Sequence, residues 1–178
     1  MTGNKKVLAY EIVGMIFVIF LGSALHFTYE LSGESPIVAI FSAVNESVWE
    51  HMKLAFWPSL IWLFVEYVPL RKISNNFFSA KTLGNYLMVF IIPLIFYSYT
   101  SITGESIFAI DITSFVVAIV LGQLLSYGIL KFRKLPRIAE AISVLALILL
   151  GSCFVAFTFY TPHLPIFKDP ITGGYGIN

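Results

Sequence analysis

Charge is what this sequence has least of. Only 12% of its 178 residues are Asp, Glu, Lys or Arg, against about 25% in an ordinary soluble domain. So little charge cannot clothe a water-facing surface, and residues 1–178 read as one lipid-embedded domain. The formal net charge is +1, so no basic face exists to neutralise phosphates, which excludes nucleic acid as a partner. Cysteine is nearly absent: Cys153, in an apolar run, permits neither an internal disulfide nor a thiolate metal site. No HExxH, G-x-S-x-G or S-x-x-K motif appears, and Gly173, Gly174 and Gly176 neither follow a strand nor open a helix, so no phosphate loop is expected. Internal repeats are missing too, which weighs against a transporter built from duplicated halves.

What the chain has in quantity is apolar sequence, 58% of its residues, with a mean hydropathy of +0.86. A hydrocarbon core about 30 Å thick takes roughly 20 apolar residues per helix. Five such runs, near 7–29, 47–70, 77–99, 107–131 and 138–160, predict an all-α polytopic membrane helix bundle of five transmembrane helices. The first run is too long for a removable signal peptide. Pro36 to Val44, apolar but short, predicts an interfacial or re-entrant helix at about 36–44. Residues 161–178 carry three prolines and three glycines among Ile, Leu, Phe and Tyr, and predict an ordered outer flap.

Basic residues stay on the cytoplasmic side during insertion. With the N-terminus cytoplasmic and the C-terminus extracytoplasmic, Lys5, Lys6, Arg71, Lys72, Lys81, Lys131, Arg133, Lys134 and Arg137 all fall inside, leaving only Lys53 and Lys168 outside. That asymmetry predicts a multi-pass protein of the cell membrane with lipids as its surroundings.

The same orientation sends His26, His51 and His163 to the outer side, with Glu30, Glu34, Glu46, Glu50, Glu105, Asp111 and Asp169. Ionisable groups inside a span cost a few kcal/mol each unless they face the interior, water or a partner. His26 and Glu30 share a helix face at i, i+4, as do Glu46 and Glu50. Asn45 is expected to cap the second span, and Glu46 and Glu50 would gain there from the helix dipole. Asp111 lies one turn into the fourth span, and the tail could bring His163, Asp169 and Tyr175 over the outer end. Glu66 reads as an interfacial side chain near Arg71 and Lys72.

Imidazoles with carboxylates are the ligands a zinc-type divalent metal takes where thiolates are lacking. His26, His51, His163 and Asp169 are the expected metal ligands, and Glu50 and Asp111 the expected general bases. Glu30, Asn45, Glu46, Lys53 and Tyr175 complete the polar cluster. Such a site suits a metal-dependent hydrolase or transferase on a lipid-like or small-molecule ligand. Two other readings stay open: a proton- or cation-linked carrier or channel, in which Glu66 or Glu11 continues the polar path, and a noncatalytic membrane module, in either case with homo-oligomers possible.

At LGSALHFTYELSG, NESVWEHMKLAFWP and FKDPITGGYGI the chain resembles a family of small, uncharacterised multi-span bacterial integral membrane proteins, along nearly its whole length. The resemblance implies a five-span bundle and no particular activity. A more distant likeness is to membrane-embedded zinc hydrolases of the ceramidase and adiponectin-receptor kind, from which this chain departs by lacking their H-x-x-x-H pair and by its five runs rather than seven.

Overall fold

A computed structural model describes residues 3–177. The chain runs through α1 (Gly3–Leu31), a short α2 (Pro36–Ala39), α3 (Val48–Leu70), α4 (Phe77–Thr103), α5 (Phe108–Lys131) and α6 (Arg137–Phe159), and then a 3-10 turn at Pro165–Phe167. Among the described residues the sole strand-like pairing is the isolated antiparallel bridge between Lys168 and Tyr175. Four helices, α1, α4, α5 and α6, are long and apolar enough to cross a membrane. Their outer faces are greasy: Phe20, Phe90, Leu121, Leu145 and Leu149 are all exposed. Aliphatic and aromatic side chains turned outward suit a hydrocarbon solvent better than water.

α3 is different. Its 23 residues include Glu50, Lys53 and Glu66, all buried, and Pro58 and Pro69 within the helix. Its charge lowers its apolar character, yet that charge is turned into the bundle, where α1 and α4 pack against it. The helix cap lies two residues later than the sequence suggests: Ser47, not Asn45, is the N-cap, its hydroxyl accepting from Glu50 N at 3.4 Å. Asn45 lies before the helix. Its Oδ1 accepts from Ser47 N and its Nδ2 donates to Gly176 O at 3.0 Å, tying this loop to the C-terminal segment.

The expected helix at about 36–44 is shorter, four residues long. Its chain then turns back onto α1, where Ser42 Oγ accepts from Tyr29 N at 3.0 Å and donates to Leu25 O. At the far end, Glu140 of α6 accepts from Phe78 N and Ser79 N, satisfying the first amides of α4, whose N-cap Asn76 makes no side-chain cap bond.

Helix approach is closest where glycine allows it. A Cβ on Gly84 would lie 2.8 Å from Gly122 O, and one on Gly122 would lie 2.7 Å from Gly84 O, so α4 and α5 meet almost backbone to backbone. Phe167 from the C-terminal segment is buried and packs on Trp49 with Phe157, their ring centroids 4.7 and 5.6 Å from Phe167. Each such aromatic pair contributes about 0.5–1.5 kcal/mol beyond its area, which anchors the tail on α3 and α6.

Candidate functional site

The end of α1, the loop before α3 and the first turn of α3 converge on three side chains. His26 Nε2 lies 3.3 Å from His51 Nε2, and Glu46 Oε2 lies 3.4 Å from His26 Nε2 and 3.5 Å from His51 Nε2. Metal-to-nitrogen or oxygen bonds of about 2.0–2.1 Å place the corners of a tetrahedron about 3.3–3.4 Å apart. The triangle formed by these three atoms has that edge length. His26, Glu46 and His51 could therefore hold a metal ion.

Local chain geometry prepares the ligands. His51 Nδ1 faces Ser47 O at 2.9 Å, a contact made when Nδ1 carries the hydrogen and the carbonyl accepts it. That tautomer leaves the Nε2 lone pair pointing at the triangle, the arrangement metal-bound histidines ordinarily have. Ser47 is thus both the helix cap and the group that orients the imidazole. The His26 side chain beside Glu46 holds the Glu46 carboxyl below the ordinary carboxylate range, so it is ionised and ready to accept. Glu46 is 41% exposed, which gives the site a solvent side.

Next to this triangle is a dry ion pair. Glu50 Oε2 lies 2.6 Å from Lys53 Nζ and accepts from Val44 N at 3.0 Å. Lys53 also donates to Ala39 O and Thr158 Oγ1, both at 2.9 Å. One ammonium therefore joins α2, α3 and α6, and Glu50 spends its charge on it.

The other expected site residues have separate partners. Asp111 accepts from Tyr99 OH at 2.5 Å, linking α4 to α5. Asp169 is buried and accepts from Ile171 N and Thr172 Oγ1, shaping the turn of the tail. His163 is exposed and stacks on Tyr175 with centroids 4.6 Å apart. Glu30 is exposed. Of the expected ligands, the structure brings His26 and His51 together and adds Glu46. His163 and Asp169 keep company with the tail.

A second polar group lies at the opposite end of the helices. Glu66 pairs with Lys81 rather than standing by Arg71 and Lys72, and Lys81, expected among the cytoplasmic basic residues, is itself buried. Lys81 Nζ also lies 2.6 Å from Glu11 Oε1, which accepts from Ser126 Oγ at 3.1 Å. The signal for this meeting was depth. Glu11, Glu66 and Lys81 stand at similar distances from the helix ends that carry the basic residues, so antiparallel packing puts them on one level.

A helical bundle with several apolar helices of membrane length, polar groups gathered inside it and a histidine-carboxylate triangle at one end is compatible with an integral membrane protein. The chain belongs to the family of unknown function (DUF6512), whose family model matches residues 2–177. No curated protein and no solved structure matches it.

Proposed function

We propose that the protein is a five-span protein of the cell membrane that binds one zinc-type divalent cation through His26, Glu46 and His51 on the extracytoplasmic side. The observation that carries this reading is the triangle of Nε2, Nε2 and Oε2 with edges of 3.3, 3.4 and 3.5 Å. Three protein ligands leave a tetrahedral ion one position for water, the pattern of catalytic rather than purely structural zinc. In support of α3 as the fifth span, its three charges are turned into the bundle and paired there. The excess of Lys and Arg on the loops that join α3 to α4 and α5 to α6 supports the orientation.

A bound divalent ion would supply Lewis acidity and a water made acidic enough to attack at neutral pH. The chain's own part is to orient His51 through Ser47 O, to keep Glu46 ionised, and to clamp the end of α1 against the start of α3. A lipid-like substrate fits the site's place at the rim of an apolar bundle. Asp111, held by Tyr99, is the carboxylate we assign as a base for a hydrolase or transferase, since Glu50 is committed to Lys53.

Elemental analysis of the purified protein after equilibration with zinc tests the binding. About one ion per chain is expected, lost in His26→Ala and in His51→Ala, while His163→Ala keeps it. A parent protein that holds no metal overturns the reading.

A further inference from the structure

The metal triangle leaves unused a second set of enclosed charges. Glu11 and Glu66 are 0% exposed and Lys81 is 3% exposed. One ammonium faces two carboxyls. α5 faces them with Ser126 and Gln123, both uncharged, and among the described residues no other charged residue is buried at this end of the bundle. With both acids ionised the set would carry a net negative charge buried inside the bundle, which costs several kcal/mol. A single proton brings it to neutrality. Two carboxyls held close by one partner share a proton for the same reason.

The hydrogen bonds say where that proton resides. Glu11 Oε1 accepts from both Lys81 Nζ and Ser126 Oγ, two donors that stabilise its charged form. Glu66 has Lys81 as its one cationic partner, and its Oε2, like Glu11 Oε2, is buried with no hydrogen-bond partner among the described residues. Asn85 Oδ1, one turn along α4 from Lys81, is a buried acceptor lacking a donor. Trp62 Nε1, one turn before Glu66 on α3, is a buried donor lacking an acceptor. A carboxylate at Glu66 offers only acceptors to these unpartnered groups, whereas a carboxylic acid offers a donor as well as an acceptor.

We propose that Glu66, with Glu11, Lys81 and Asn85, forms a proton-binding site enclosed by α1, α3, α4 and α5 that holds one exchangeable proton. The site is separate from the metal triangle at the other end and stands or falls independently of it. Its ligand is the proton itself, taken up whenever the two acids compete for the one ammonium.

Infrared difference spectroscopy of the protein in phosphatidylcholine nanodiscs at neutral pH reads the protonated carboxyl directly through its C=O stretch. One carboxyl equivalent per chain is expected. Glu66→Gln removes it, and so does Glu11→Gln, because either substitution leaves a neutral pair with Lys81. Lys81→Met, where it folds, raises the signal to two equivalents. A band that survives Glu66→Gln or Glu11→Gln overturns the proposal. So does a parent with no band, or one in which the band appears only when sodium is withdrawn, since the group would then hold a cation instead.

Discussion

Where α1 ends and α3 begins, Glu46 is 41% exposed and the two histidines beside it are 26% and 30% exposed. At the opposite end Glu11, Glu66 and Lys81 have almost no surface. Both groups draw ionisable side chains from separate segments of the chain to one point, but their environments assign them different chemistry. The first is open on one side, is rich in lone pairs and has no ammonium to saturate them, so an ion from solution can complete it. The second has its own cation and is closed, so only something as small as a proton can adjust its charge. Between them, the Glu50–Lys53 pair shows the balanced case: one acid, one base, and a full set of hydrogen bonds.

Breaking the balanced pair should have the largest effect. Lys53→Met strands the buried Glu50 carboxylate and releases Ala39 O and Thr158 Oγ1. Removing one partner of a buried pair costs roughly 3–5 kcal/mol, seen as a large loss of thermal stability in detergent. Glu66→Gln sharpens the contrast. It also removes a buried acid, yet leaves Glu11 and Lys81 matched, so the expected change is within about 1 kcal/mol by the same measurement. A loss as large as that of Lys53→Met would mean the two buried groups are not different in kind.

Substitutions at the open end should act on metal rather than on folding. His51→Ala is expected to weaken zinc binding by more than about tenfold while shifting the unfolding of the metal-free protein by under about 1 kcal/mol. The smallest effect is one of pH. The folded Glu46 carboxyl titrates below its ordinary value of 4.5, so folding favours its ionised form. Its contribution is complete above that value and fades as pH falls through the lower, folded one. Acid titration of stability should therefore be shallower in Glu46→Gln than in the parent below about pH 4.5.

The helical architecture was legible because apolar runs of membrane length and their punctuation depend on local sequence. The ends of the helices follow the expected runs within a few residues, and the larger differences are at caps: Thr103 extends α4 because Gly104, at φ 80°, is what finally stops it. The candidate site was legible only in part. His26 and His51 could be assigned to one end of the bundle from the sidedness of the charges, and Glu46 appeared there as a supporting acid. Which of seven acids would meet them depended on the path of the loop through Ser42 and Val44, and no periodicity records that. The Glu11–Lys81–Glu66 group was missed because Lys81 was counted with the basic residues of the loops. One turn inside α4, it faces α1 and α3 instead.

Cobalt(II) in place of zinc offers the most direct test of the metal site, because a tetrahedral cobalt centre absorbs visible light far more strongly than the hydrated ion. Titration of the purified protein with cobalt(II) is predicted to develop the tetrahedral spectrum at about one ion per chain, to lose it on addition of zinc, and to show none in His51→Ala. A spectrum that stays that of hydrated cobalt throughout, or one unchanged in His51→Ala, would contradict the account.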